Sequence, residues 1–141
     1  MDGTMQELVT QSHDLVLVPN QHDYAFAIFP MAKAYEGFLK KLFFTLKFIS
    51  KQQFYGDRFR IGRSLNPNLP KRYQSDWVFG KLQEFYKGDS LPLRLWEMWR
   101  RGRNQVFHYM PDHMQEISQK EALNILGLFS EVMECAILAE P

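Results

Sequence analysis

Among the 141 residues there is one cysteine, Cys135. That excludes an internal disulfide and any multi-cysteine metal site. In its apolar C-terminal setting Cys135 reads as an inert core thiol rather than a nucleophile. An excess of one charge is also missing. The formal net charge is +1, so any polyanion-binding surface has to be local. No apolar run approaches the roughly 20 residues of a membrane-spanning helix, and the N-terminus lacks a basic segment followed by an apolar one. The expectation is a soluble, cytoplasmic protein with no membrane partner. His108 and His113 lack a familiar metal-ligand spacing, so neither metal nor cofactor is expected. Internal repeats and low-complexity tracts are absent as well.

What the chain has is apolar and aromatic mass. Hydrophobic residues make up 45% of it, with 12 Phe, 6 Tyr and 3 Trp, which argues against disorder over most of its length. The size suits one domain. Residues 1–13 are polar without periodicity and read as a loose arm. Asp14-Leu15-Val16-Leu17-Val18-Pro19 is short and β-branched and reads as an extended segment. Residues 1–22 thus form an N-terminal arm ahead of an all-α helical domain over 23–141.

The first long helical pattern opens at Asp23 and runs to about Ser50, with a kink or break at Pro30. Met31, Ala34, Tyr35, Phe38, Leu42, Leu46 and Ile49 make its buried face, and Lys33, Lys40 and Lys47 its wet side. Phe44 and Phe48 fall among the lysines. They offer either a partner surface or rings packed under the following loop. Glu36 sits at the edge of the apolar face. It is either an ordinary surface pair with Lys40 or a half-buried carboxylate aimed at a cation such as Arg103.

Residues 51–74 read as a long basic loop between the first and second core helices. Lys51, Arg58, Arg60, Arg63, Lys71 and Arg72 stand against the lone carboxylate Asp57, interleaved with Phe54, Tyr55, Phe59 and Tyr73. Cations for phosphates and rings for bases suit a single-stranded RNA contact; a solvated loop tucking its rings into the core is the alternative. A short helix follows from Trp77 to about Lys87. The next begins near Ser90, with Pro92 in its first turn, and ends at Pro111. Ser118-Gln119-Lys120-Glu121 is a capping box. It opens a last helix with the stripe Ala122, Ile125, Leu126, Phe129, Val132, Met133, Ala136 and Ile137.

The stretch Trp96–Tyr109 concentrates the chemistry. Leu91, Leu95, Met98, Trp99, Gly102, Val106 and Tyr109 share one side of a helix, and Gly102 lets a neighbouring helix come close. Arg101, Asn104 and His108 fall on the wet side, with Arg103 on the border beside Trp96 and Phe107. Arg103 and His108 point about 140° apart. They converge only if the arginine bends round the helix or two copies contribute.

The spacing Arg103-Asn104-x-x-x-His108 resembles the Arg-x4-6-His signature of HEPN-domain ribonucleases. Ala34-Tyr35-Glu36-Gly37-Phe38-Leu39-Lys40 is similar to the A-x-E-G-x-L-K helix of the HEPN domain in ribonuclease LS-type toxins. The resemblance covers Asp23 to the end. It implies an up-and-down HEPN-like bundle, commonly dimeric, with Glu36 joining Arg103 and His108 in a metal-independent active site. It also implies an RNA rather than DNA substrate, and an antitoxin protein as a partner. Those toxins carry further domains ahead of this one, so a stand-alone HEPN protein or a shorter relative is expected.

The residue chemistry suits that expectation. Cutting RNA without metal needs a proton acceptor near neutral pH, for which His108 is the natural group. It also needs positive charge on the phosphorane, which Arg103 supplies. Asn104, one turn from His108, orients the imidazole or binds a non-bridging oxygen. Arg100 and Arg101 join Arg58, Arg60, Arg63, Lys71 and Arg72 as candidate RNA-binding cations. Two further readings stand beside this one. One is a catalytically silent dimerisation or adaptor module using Phe44, Phe48, Trp96 and Phe107 as its interface. The other is RNA binding without turnover through residues 51–74.

Overall fold

The computed structural model describes residues 2–106 and 116–139, with side chains described for 2–102 and 116–139. Among these residues every regular element is helical. The α-helices are α1 (Gly3–Val16), α2 (Ala25–Thr45), α3 (Lys51–Tyr55), α4 (Ile61–Leu65), α5 (Val78–Tyr86), α6 (Ser90–Val106) and α7 (Gln119–Leu138), and a 3₁₀ helix covers Lys71–Asp76. No helix among the described residues is long and apolar enough to cross a membrane.

The largest departure from expectation is at the N-terminus. Where a loose arm and an extended segment were expected, α1 forms and packs along α2 more extensively than any other pair of elements. The Asp2 side chain caps it by accepting from the Met5 N–H at 3.0 Å. Met5, Ser12 and Val16 are buried, while Leu8, Val9 and Leu15 are half-buried against the core. These positions follow a helical period, disguised because one of its members is a serine. Burial against α2 overrides the β-branched bias of the segment's end.

Ser12 has a reason to be there. Pro30 lies inside α2, where proline disturbs the hydrogen-bond ladder. The helix nevertheless runs through Pro30 unbroken, and the Met31 N–H donates to the buried Ser12 Oγ at 2.8 Å.

α2 ends earlier than its apolar pattern suggests. Lys47 adopts a left-handed φ of 63°, and the Phe48 and Lys47 N–H groups close back on the carbonyls of Phe43 and Phe44 at 2.8 and 3.0 Å. This is a Schellman ending with lysine where glycine is usual, and it recurs after α5 at Lys87, φ 56°. Beyond it, the expected long loop is largely helical. Ser50 and Gln53 form a reciprocal capping box that starts α3. Ile61, Ser64 and Leu65 of α4 are buried, and Ser64 Oγ accepts from the Val78 N–H while donating to the Asp76 carbonyl, both at 3.1 Å.

The core is centred on α2, which packs on α1, α6 and α7. Tyr35, Leu39, Phe43, Leu95, Leu126 and Phe129 are among its fully buried side chains, each worth roughly 1.5–3 kcal/mol of burial. The predicted α7 stripe is buried except for Ile137, which is 49% exposed. Ahead of α7, the Tyr24 N–H donates to the Ile117 carbonyl at 2.8 Å and the Ile117 N–H to Asp23 Oδ1 at 3.1 Å, tying the start of α7 to the start of α2.

Candidate functional site

Three helices meet at one corner. The buried Tyr35 hydroxyl of α2 donates to the Leu95 carbonyl of α6 at 2.7 Å, and its ring lies edge-on to Phe129 of α7 at 5.2 Å. Burial pushes the Tyr35 phenol well above its ordinary pKa, so it stays a neutral donor that holds α6 in place. One turn of α6 beyond the Met98–Trp99 pair, Gly102 meets Phe129. A Cβ there would lie 2.9 Å from Phe129 Cζ, so the close approach expected of Gly102 is realised against α7.

The same corner encloses a cavity of about 360 Å³. Phe29, Lys33 and Glu36 line it from α2, Trp99 and Gly102 from α6, and Phe129 from α7. Glu36 and Lys33 are exposed, and neither has a hydrogen bond or ion pair among the described residues. The surface pair Glu36–Lys40 is not formed: Lys40 Nζ points instead at the Gly56 carbonyl, 3.5 Å away. Glu36 is also exposed rather than half-buried. Its carboxylate is a solvated acceptor at the mouth of an aromatic cavity.

Arg103 and Asn104 follow Gly102 directly within α6, so the motif starts at the cavity's edge; their side chains lie outside the described ones. His108 and Phe107 lie outside the described residues altogether. Arg100 pairs with Glu97 at 2.7 Å on the surface. Arg101, expected on the wet side, is half-buried.

The basic segment comes to the same helix from the other side. α4 packs on α6, and Trp99 lies over Gly62, where a Cβ would meet the indole Nε1 at 2.8 Å. Arg58, Arg60, Arg63, Lys71 and Arg72 are all exposed. The guanidinium carbons of Arg63 and Arg72 stand 4.8 and 4.9 Å from the Tyr73 ring centroid, within cation–π range. The rings of this segment divide. Phe54 stacks on Phe44 at 4.6 Å and Phe59 lies edge-on to Phe43 at 6.5 Å, while Tyr55 and Tyr73 remain exposed.

Those stacks decide between the two accounts of the α2 aromatics. Phe44 is half-buried under Phe54, and Phe48 is half-buried edge-on to Phe85 at 6.1 Å. Both rings pack within the chain, as in the second of the two accounts. Trp96 is half-buried against the core.

No protein-family model, curated protein or solved structure matches this chain. Among the described residues no three His, Cys, Asp or Glu side chains come together in a way that would hold a metal ion.

Sequence reasoning did not bring Phe29 or Lys33 to the site. A signal for both existed: Phe29, Lys33 and Glu36 recur at helical spacing along one face of α2. Their meeting with Trp99 and Phe129 is a product of tertiary packing and has no local signature.

Proposed function

We propose that this protein is a metal-independent endoribonuclease of the HEPN type, with a toxin or antiviral role. It acts as a homodimer and is restrained by an antitoxin protein. The single observation that carries this reading is that Glu36 and Gly102 line one cavity. The helix bearing the glutamate thus meets the helix on which Arg103 and Asn104 follow Gly102, which supports the resemblance.

In this mechanism the RNA 2′-hydroxyl loses its proton to His108 and attacks the adjacent phosphorus. A 2′-O–P bond forms and the 5′-O–P bond breaks; the proton taken up by His108 passes to the departing 5′-oxygen, leaving a 2′,3′-cyclic phosphate and a 5′-hydroxyl. Arg103 carries the charge that builds on the non-bridging oxygens, Asn104 orients the imidazole or binds one of those oxygens, and Glu36 holds the guanidinium. Pairing of two motif helices in a dimer brings groups that diverge on one helix into a shared cleft.

The test is RNA cleavage in excess EDTA by wild type and His108→Ala. Removing the proton-transfer group lowers the rate by about 10²–10⁴. Equal cleavage by the two proteins ends this reading. A second one, RNA binding without turnover, is favoured by the Arg63–Tyr73–Arg72 stack among exposed cations. It predicts affinity that falls steeply with salt while the RNA stays intact.

A further inference from the structure

The cavity sets a carboxylate beside aromatic walls. Its walls are aromatic, yet its mouth carries a carboxylate with no partner among the described residues. A carboxylate repels phosphate. As an acceptor-only group with two oxygens, it suits a ligand that presents two adjacent N–H donors. At about 360 Å³ the space lies at the small end of ligand sites, which run from roughly 300 to 1,000 Å³. That is room for one base and its sugar. Unstacked RNA bases are held in this way, between rings and with hydrogen bonds to their edges.

We propose that the cavity takes a guanine base of single-stranded RNA, read by Glu36 and stacked against Phe29 and Trp99. This rests on RNA being the substrate, and it gives the Glu36 carboxylate to the base in place of the Arg103 guanidinium. Guanine alone among the four bases offers two neighbouring donors, N1–H and the exocyclic amine, on its pairing edge. Adenine and cytosine set a donor beside an acceptor, and uracil flanks one donor with two carbonyls. Each of those three would turn a lone pair toward a carboxylate oxygen. Lys33, one turn before Glu36, supplies a cation beside the base. Gly102 contributes wall without a side chain, and a Cβ there would drive into Phe129.

A free guanine nucleotide has the same edge. RNA is favoured because Trp99 also lies over Gly62 of α4, which the exposed Arg60 and Arg63 flank in sequence, and Arg72 joins Arg63 around Tyr73. Those exposed cations offer flanking phosphates contacts that a mononucleotide would not use.

Calorimetric titration of the full chain with GMP, AMP, CMP and UMP tests the base, and 2′-O-methyl UUGUU and UUAUU, which cannot be cleaved by 2′-hydroxyl attack, test the source. GMP should bind at least about tenfold tighter than AMP, the scale of one good bidentate contact. Glu36→Gln should erase that preference, because its amide turns one acceptor into a donor facing a donor. Phe29→Ala, at a partly exposed ring, should weaken all four nucleotides by at least about fivefold through lost stacking. UUGUU should bind tighter than both UUAUU and GMP, with a gain over GMP that shrinks as salt rises. Equal affinities for the four nucleotides, or no binding, overturn the base pocket. A pentamer no tighter than GMP overturns the RNA source. Because these readouts involve no cleavage, a failed EDTA assay and a failed titration remain distinguishable.

Discussion

The α1–α2 seam and the α2–α6–α7 corner use polar groups in opposite ways. At the seam, buried Ser12 accepts from the Met31 N–H, directly after the proline inside α2. At the corner, Tyr35 is likewise buried and committed to the Leu95 carbonyl. A few ångströms outward, Glu36 and Lys33 stand at the cavity mouth with no partner among the described residues. Buried polar groups left unmatched destabilise a fold, so those that hold it together are matched. Those kept at the edge of an aromatic hollow are free to meet something else. The side chains that build the molecule and those available for chemistry are thus separated by whether their hydrogen bonds close internally.

Three substitutions break or sharpen that contrast. Ser12→Ala has the largest expected effect. It strands a buried N–H, and denaturant unfolding should register a loss of about 1–3 kcal/mol; a neutral result would mean that apolar contact alone docks α1. Tyr35→Phe comes next, at about 0.5–1.5 kcal/mol near neutral pH. Tyr35 also has a pH signature. Its folded-state pKa is raised above 10.0 by burial, so the folded form holds its proton at pH values where the unfolded form releases it. Stability from this group is complete below pH 10 and is lost as pH climbs toward the raised value. Alkaline unfolding followed by circular dichroism should be less steep in Tyr35→Phe. Glu36→Gln is expected to be smallest, within about 0.5 kcal/mol in stability as for other exposed side chains away from structural features. A marked loss there would assign Glu36 to the scaffold.

Legibility in the sequence follows the range of the interactions involved. α2, α5, α6 and α7 announce themselves because their apolar residues repeat at helical spacing over many turns, and Gly102 stands out as a gap in such a stripe. α1 is hidden by Ser12, a polar residue at a core position whose partner lies 19 residues away. The ending of α2 is hidden because Lys47, not glycine, takes the left-handed conformation. Residues 51–74 show why basic composition is a poor guide to backbone. Ser50 and Gln53 carry a plain helix-start signal, and Ile61 and Leu65 share one buried face. At the site, Glu36 is visible through a motif resemblance, whereas the enclosure formed by Phe29, Trp99 and Phe129 arises only when three helices pack.

Pro30 gives the two N-terminal helices a shared fate. Because the Met31 amide donates to Ser12 of α1, its hydrogen-exchange protection becomes a reporter of docking between the two. Any event that peels α1 away exposes a weak point in the middle of α2, five residues before Glu36. Loosening the outermost helix would thereby reach the rim of the cavity, with no ligand needed to carry the message.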